Sequence, residues 1–189
     1  MKRNSFIQFC LAAGMVALAP LNSLAHKWRL KKGVFVAAGK DRYGSPYQRI
    51  PGDLIFNKVT TADTDGDLYI FDTTRIQEGG PPLHFHYNQD EWWYVISGEF
   101  LIRVGDETYH AKPGDSVFGP RGVPHTFAKI GEGEAKIILL FQPAGKMEAF
   151  FKAVNEGKVE KMTDEERKKF RIDHGFEHVG PPLELPKKN

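Results

Sequence analysis

Short apolar runs alternate with glycine-, proline- and aspartate-rich turns through the central part of the chain. Eight such runs, from LIFNKVTT and DLYIFDTTRI to AKIILLFQ, are separated by turns such as TDGD, EGGPP, YNQD and KPG. Short strands punctuated about every ten residues are typical of an all-β sandwich or barrel. No long helical pattern lies between the runs, which argues against a parallel βαβ arrangement. We therefore predict an all-β domain over residues 51–142.

The pattern changes after Pro143. In GKMEAFFKAVNEGK the apolar residues at 147, 150, 151 and 154 share one face of a helix. In TDEERKKF, Thr163 is followed three residues later by Glu166, which is the start of a capped second helix. The tail HGFEHVGPPLELPKKN is rich in proline and glycine and is expected to lie extended over the barrel. Residues 143–189 are thus predicted as C-terminal helices and a tail, and residues 26–50 as an N-terminal segment packing on the barrel.

The first 25 residues differ in character from the rest. Two basic residues precede the mostly apolar run FIQFCLAAGMVALAP, and Ser23 and Ala25 occupy the minus-three and minus-one positions of a signal-peptidase site. Residues 1–25 are therefore predicted to be a cleaved secretory signal peptide. The alternative is an uncleaved membrane anchor, which Pro20 disfavours because it interrupts the run before a bilayer span is reached. We expect the mature protein to be periplasmic or secreted, without a membrane segment.

Removal of this leader changes the charge and the cysteine count. Residues 26–189 hold 24 basic and 24 acidic residues, and no block of lysine or arginine suggests a nucleic-acid partner. The single cysteine, Cys10, lies in the leader. The mature chain therefore has no thiol for a disulfide, for cysteine catalysis or for metal ligation. Any metal that it binds must be held by nitrogen and oxygen.

The segment PPLHFHYNQDEWWYVISG contains a candidate metal site. His84 and His86 project from the same face of a strand, because residues two apart share a face. The turn YNQD reverses the chain, so Glu91 can face the same interior as the two imidazoles. Downstream, the turn-rich GPRGVP leads into His125, a fourth candidate. Imidazoles with one carboxylate suit a first-row divalent metal.

Two spaced motifs in this region resemble those of the cupin superfamily. The first, H-x-H-x4-E-x6-G, and the second, G-x5-P-x-G-x2-H, are present as His84, His86, Glu91 and Gly98, and as Gly114, Pro120, Gly122 and His125. The resemblance implies a double-stranded β-helix, the jelly-roll cupin barrel, with short C-terminal helices added. It also implies one divalent transition metal, held by His84, His86, Glu91 and His125. The sequence leaves the choice among Fe, Mn, Ni, Cu and Zn open.

The strand pleat suggests which other side chains surround the metal. If Glu91 faces inward, Trp93 and Val95 follow it, and Phe127 shares the face of His125. Together with Phe118, these residues are predicted to line an apolar substrate pocket, although each could equally fill the core. The opposite stripe formed by Trp92, Tyr94 and Ile96 needs a cover. Terminal helices or a homodimer would supply one, and the cupin resemblance makes the homodimer plausible.

The predicted site favours chemistry carried out by the metal. Four protein ligands leave one or two positions on the metal for water, dioxygen or a substrate oxygen. The sequence resembles the small single-domain quercetin 2,3-dioxygenase-like group most. That resemblance implies an oxidoreductase, a dioxygenase acting on a small aromatic or enol-type compound, with Glu91 as a catalytic ligand that accepts a proton. The alternatives are a Lewis-acid isomerase, decarboxylase or lyase, and a non-catalytic small-molecule-binding protein.

Three weaker motifs are interpreted as structural. The segment ADTDGDL resembles the start of a calcium loop, but it lacks the glutamate at the twelfth position and is predicted to be a hairpin turn. His174 and His178 are spaced like a helical metal pair, but the glycines around them favour surface or tail positions. His110 is predicted to lie on the solvent side of a strand.

Overall fold

A computed structural model describes residues 29–50 and 52–186, which form two antiparallel sheets. The first sheet has the strand order β1-β2-β3-β10-β5-β8, and the second has the order β11-β4-β9-β6-β7. The strands of the first sheet are β1 (Tyr47–Ile50), β2 (Asp53–Val59), β3 (Tyr69–Arg75), β5 (Asp90–Ser97), β8 (Ser116–Gly119) and β10 (Ala135–Gln142). Those of the second are β4 (His84–His86), β6 (Glu99–Val104), β7 (Glu107–Ala111), β9 (His125–Ile130) and β11 (Phe176–His178). This architecture is a jelly-roll barrel, as predicted.

Alternation along the strands places the core between the two sheets. On β5, Glu91, Trp93 and Val95 are buried, whereas Tyr94 and Ile96 are 36% and 41% exposed. The buried members meet apolar partners from β3, β6, β9 and β10 in one continuous cluster. Full burial of each large apolar side chain contributes about 1.5–3 kcal/mol, so the alternation specifies which face of β5 turns inward.

Every predicted apolar run contains a strand, but β9 was not among the predicted strands. Five of its six residues are buried, so HTFAKI lacks the alternation of a strand with one solvated face. It pairs with β6 along its whole length and with β4 at His125. The predicted hairpin turn at ADTDGDL does connect the antiparallel strands β2 and β3, through a short 3-10 turn at Thr61–Asp63.

Both predicted helices are present after the barrel strands. They are α1 (Met147–Asn155) and α2 (Asp164–Asp173). The capping box of α2 forms as predicted, because Thr163 Oγ1 accepts from the Glu166 amide at 3.2 Å and Glu166 Oε2 accepts from the Thr163 amide at 2.8 Å. The tail does more than cover the barrel, since residues 176–178 join the second sheet as β11, antiparallel to β4.

Two predictions, the signal peptide and the homodimer, are not tested by these strands and helices. The signal peptide, residues 1–25, lies outside the described residues. Within the described part of the chain, no helix is long and apolar enough to cross a membrane. The outward stripe on β5 remains partly exposed, and Phe118 of the neighbouring strand β8 is 57% exposed beside it. The homodimer that would cover this face stays a prediction.

Candidate metal centre

The two histidines of β4 face the barrel interior as their spacing predicts. His84 and His86 are buried on one side of this three-residue strand, and Phe85 lies between them on the other side. Strand β4 has neighbours on both edges, with His84 opposite His125 of β9 on one edge and opposite His178 of β11 on the other. Because both edges are paired, the two imidazoles are held by the sheet.

The loop before His125 is attached to the segment that connects β4 of the second sheet to β5 of the first. Arg121 donates from Nε and Nη2 to the Asp90 carboxylate at 3.0 and 2.7 Å, and its backbone amide donates to the same carboxylate at 2.9 Å. The Gly122 amide donates to the His86 carbonyl at 2.8 Å. These contacts tie the turn that precedes His125 to the residue beside Glu91, and so join the two halves of the site.

The four predicted ligands converge in the interior. Glu91 Oε2 lies 3.1 Å from the Nε2 atoms of both His86 and His125, and 3.9 Å from His84 Nε2. All four candidate ligand atoms lie within 4.8 Å of one another, and all four residues are buried. Donor atoms at these separations can share a single ion without rearrangement of the backbone.

Hydrogen bonds to backbone carbonyls set the orientation of two of the rings. His84 Nδ1 lies 2.8 Å from the Pro82 carbonyl oxygen, and His125 Nδ1 lies 2.9 Å from that of Val123. Since a carbonyl only accepts, each Nδ1 carries the proton of the neutral ring and each Nε2 keeps a lone pair. These lone pairs point toward the Glu91 carboxylate, which also only accepts. A cation between them turns repulsion into coordination, so the residues fit a divalent metal.

The charge states of the site agree with this fit. Burial, followed by the neighbouring His125 and His86, lowers the pKa of the His84 imidazole to about 3, so the ring is neutral at pH 7. Burial raises the pKa of Glu91, but in the metal-free protein hydrogen bonds from His125 and His86, made when these rings carry a proton on Nε2, lower it more, and the net pKa lies well below its ordinary range. A neutral imidazole and an ionised carboxylate are the forms that bind metal.

The ligands open onto an internal cavity of about 320 Å³. His84, His86 and Glu91 form one part of its wall. Most of the remaining wall is apolar and comes from both sheets and from the C-terminal segment: Ile55, Phe71, Phe127, Leu139, Phe141, Met147, Phe150, Phe151, Val154 and Phe176. The apolar face that the sequence predicts for α1 therefore lies against this cavity.

The structure corrects part of the predicted pocket. Phe127 lines the cavity, but Phe118 is directed outward because β8 pairs with β5 so that Phe118 lies opposite the outward Trp92. Trp93 and Val95 point inward and are fully buried, yet they belong to the core and not to the cavity wall.

Trp93 packs against His125, one of the four candidate ligands, on the core side of the site. Its ring meets the His125 ring edge-on, with centroids 5.2 Å apart. Gly119 leaves room for this contact, since a Cβ there would lie 2.7 Å from Trp93 Cη2 and 3.3 Å from His125 Nδ1. Trp93 is thus a packing partner of a ligand rather than a group that faces substrate.

Sequence reasoning missed four polar residues of the cavity wall, which are Asp53, Thr73, Arg75 and His178. The prediction that His178 is a surface or tail residue is wrong, because β11 places its ring 6.2 Å from that of His84. Burial, and then Arg171, lowers the pKa of His178 to about 4. His174 takes no part in the cavity, and its Nδ1 lies 2.7 Å from the Phe170 carbonyl at the end of α2. His110 is exposed beside Glu99, as predicted.

Comparison with known proteins identifies the domain. Residues 73–141 match the cupin domain family. An uncharacterized protein of Methanocaldococcus jannaschii is 33% identical over 32% of this chain and 49% of its own length. One of Streptomyces coelicolor is 40% identical over 29% of this chain and 51% of its own length. The chain thus spans about half the length of the curated relatives it matches.

The fold comparison agrees with the domain match. The solved structure of KdgF from Halomonas sp. aligns over 59% of this chain and 94% of its own, with 22% identity and a TM-score of 0.51. At this identity the likeness concerns the fold alone. Together with the two antiparallel sheets, it agrees with the family match, which identifies residues 73–141 as a cupin domain.

Proposed function

We propose that the protein is a metal-dependent dioxygenase that acts on a small aromatic or enol-type compound. The observation that carries this proposal is the position of His84, His86 and Glu91, which open onto a mainly apolar cavity whose wall includes six phenylalanines. A substrate in this cavity would lie directly against the ligand cluster. A volume of about 320 Å³ is at the lower end of small-molecule sites, which suits a compound of one to three rings.

Residues of the chain would hold the metal and orient the substrate. His84, His86, Glu91 and His125 would be the protein ligands, and the bound metal would supply an open coordination position for dioxygen or a substrate oxygen. The backbone carbonyls that fix the His84 and His125 rings keep the lone pairs directed at one point. Glu91, which is 2% exposed, has a carboxylate that can accept the proton of a substrate hydroxyl as its oxygen approaches.

The aromatic wall provides both selectivity and exclusion of water. Phe151 meets Phe71 edge-on with centroids 5.1 Å apart, and Phe150 meets Phe176 in the same way at 4.8 Å. A planar ring bound among these side chains gains both apolar contact and favourable edge-to-face geometry. Removal of water from the site strengthens the interaction of Glu91 with a substrate proton.

A second candidate function is favoured by the titratable groups in the wall. Asp53 and His178 both line the cavity, His178 beside His84 and Asp53 at the opposite end, and burial raises the pKa of Asp53 to about 6 despite the neighbouring Arg75. A carboxyl with this pKa can move protons near neutral pH. It would serve a Lewis-acid isomerase, decarboxylase or lyase, which needs no dioxygen.

Metal analysis combined with oxygen uptake tests the proposal. The natively purified protein is expected to contain close to one divalent transition metal per chain and to consume oxygen with a member of a panel of flavonols and diketones. Turnover that persists without oxygen would select the Lewis-acid function. Ligand binding without any turnover would select a binding protein.

The Glu91→Gln variant tests the role of the carboxylate. It is expected to keep the fold and the cavity but to lose most of the turnover, because a neutral amide cannot accept the substrate proton. Thermal unfolding and metal content are measured alongside the rate. Unchanged turnover in this variant would contradict the proton-accepting role.

We also propose that the protein is exported. The proposal rests on the basic start, apolar run and small-residue cleavage pattern of residues 1–25. Mass spectrometry of the protein from a periplasmic or secreted fraction should give a chain that begins at His26. A full-length chain confined to the cytoplasmic fraction would contradict export.

A further inference from the structure

A buried ion pair forms a second polar position in the cavity wall. Asp53 begins β2 and lies opposite Arg75, which ends β3. Arg75 Nη1 donates to Asp53 Oδ2 at 2.6 Å, and Thr73 Oγ1 donates to Asp53 Oδ1 at 3.0 Å. The side chains of Asp53 and Arg75 are 9% and 6% exposed, and all three residues line the cavity.

Strand register separates this pair from the metal ligands. Glu91 lies opposite Phe141, and Phe141 lies opposite Tyr69 of β3. Arg75 is six residues further along β3, which corresponds to at most about 20 Å along a strand. The Arg75 guanidinium lies over the Phe127 ring, 5.4 Å from its centroid. The cavity therefore has a polar group remote from the metal ligands and apolar side chains between the two.

Both Asp53 and Arg75 can form further hydrogen bonds. Arg75 Nε is buried and has no hydrogen-bond partner among the described residues. Among the described residues, each Asp53 oxygen accepts one side-chain hydrogen bond, which leaves it capacity for another. A different aspartate–arginine pair, Asp90 and Arg121, shows the contrast. It lies outside the cavity, and both the Nε and Nη2 atoms of its arginine donate to its aspartate.

The charges of the pair restrict which ligand group it suits. The formal charges of Asp53 and Arg75 cancel, so an added anion would face the carboxylate and an added cation would face the guanidinium. A neutral hydroxyl avoids both conflicts, because it donates to the carboxylate and accepts from the guanidinium. A hydrogen bond to a charged group contributes more than one between neutral groups, so a hydroxyl here would be strongly selected.

We propose that Asp53 and Arg75 form a recognition site for a hydroxyl group on the part of the substrate remote from the metal. Thr73 positions the Asp53 carboxylate by a hydrogen bond, and the Phe127 ring packs against the Arg75 guanidinium. This inference rests on the proposed function for the identity of the metal-binding end of the substrate. It narrows the substrate class to hydroxylated aromatic compounds.

Anaerobic titration of the metal-loaded protein with matched flavonols tests the inference. The parent probe is 3-hydroxyflavone, which carries a metal-binding oxygen pair and no remote hydroxyl. The comparison probes add one hydroxyl at the 7, 3′ or 4′ position. At least one of them is expected to bind about tenfold or more tightly than the parent, in line with a charge-assisted hydrogen bond.

The Asp53→Asn variant is expected to reduce this ratio to below about threefold, and the ratio within each protein corrects for any general change in affinity. Asp72→Asn is the matched control. Asp72 lies next to Thr73 on the same strand but pairs with Lys58 at 3.1 Å, away from the cavity. The same hydroxyl preference in wild type and Asp53→Asn, or no preference in wild type, would overturn the inference.

A second probe pair separates this inference from the proposed function. Binding of p-cresol and toluene is compared by ligand-observed NMR with the metal-loaded protein and its Asp53→Asn variant. If no flavonol binds but an Asp53-dependent preference for p-cresol is found, the dioxygenase proposal fails and the hydroxyl site stands. If flavonols are turned over but neither pair depends on Asp53, the hydroxyl site fails and the dioxygenase proposal stands.

Discussion

The two ends of the cavity are built in different ways. At the metal end, four ligands come from two motifs within the matched cupin domain, and hydrogen bonds from imidazoles to backbone carbonyls fix their direction. At the opposite end and along the wall, many residues come from outside residues 73–141, including Asp53, α1 and β11. The difference predicts that the proposed metal binding and the proposed substrate selection are largely separable.

Loss of a central ligand should produce the largest effect at the metal end. We expect His86→Ala to lower metal affinity by more than the roughly 10–100-fold that loss of an outer-shell partner costs, because His86 is a direct donor within 3.1 Å of Glu91 Oε2. Metal per chain after dialysis and turnover should both approach zero. His110→Ala, on the exposed pair with Glu99, serves as control. Full metal content in His86→Ala would remove this residue from the ligand set.

In the metal-free protein, acidification should lower the contribution of His84 to folding stability at the metal end and raise that of Asp53 at the opposite end. The folded pKa of His84 is about 3, below its ordinary 6.5, so its contribution to stability is full above pH 6.5 and declines as the pH falls. Between pH 6.5 and 4 the decline amounts to up to about 3 kcal/mol. The pKa of Asp53 is raised from 3.8 to about 6, so its contribution is full below pH 3.8 and is lost as the pH rises through 6.

Chemical denaturation of wild type and Asp53→Asn at pH 7 and pH 4 measures this difference. The variant lacks the opposing gain at Asp53, and it should therefore lose more of its unfolding free energy on acidification than wild type does. An equal loss in the two proteins would show that the Asp53 carboxyl does not titrate as described.

A larger side chain at Gly119, next to Trp93 and His125, should have the next largest effect on stability and metal binding. Gly119→Ala would place a Cβ 2.7 Å from Trp93 Cη2 and 3.3 Å from His125 Nδ1, so the Trp93 ring and its edge-on contact with His125 must shift. We expect a loss of about 1–3 kcal/mol in unfolding free energy together with weaker metal binding. Gly33→Ala is the control, since no atom lies within 4 Å of a Cβ there. Wild-type stability and metal affinity in Gly119→Ala would contradict the packing described for Trp93.

Substitution of an aromatic residue in the cavity wall should have the smallest effect, and that effect should be confined to ligand affinity. Phe151→Leu removes the edge-on contact with Phe71, and we expect affinity for an aromatic ligand to fall by about 2–10-fold. Metal content should not change, because Phe151 is not a ligand. Equilibrium binding and elemental analysis on the same samples check both statements. A parallel loss of metal would show that the two ends are not separable.

Sequence patterns predicted the metal end well because their geometry is local. Residues two apart on β4 must share a face. Glu91 reaches them differently from the expected hairpin, because β4 and β5 belong to different sheets whose inner faces meet in the core. The apolar face of α1 and the capping box of α2 are local in the same sense. These features depend on chain periods and turn chemistry, which short segments carry themselves.

Register and long-range pairing decided the features that were missed. Phe118 points outward because β8 aligns with β5 so that Gly119 lies opposite Glu91, and no pattern within four residues specifies that alignment. Strand β9 is buried on both faces and lacks the alternation that reveals other strands. His178 reaches the cavity only because β11 pairs with β4.

The sequence by itself determined the strand-rich domain, the ligand set and the capped C-terminal helix. Only the tertiary structure decided what surrounds those ligands. It placed Trp93 behind His125, brought Asp53 to Arg75, and set α1 and β11 against the cavity. The physical reason is that side-chain period is a property of each strand, whereas a shared wall depends on the register and packing of elements far apart in the chain.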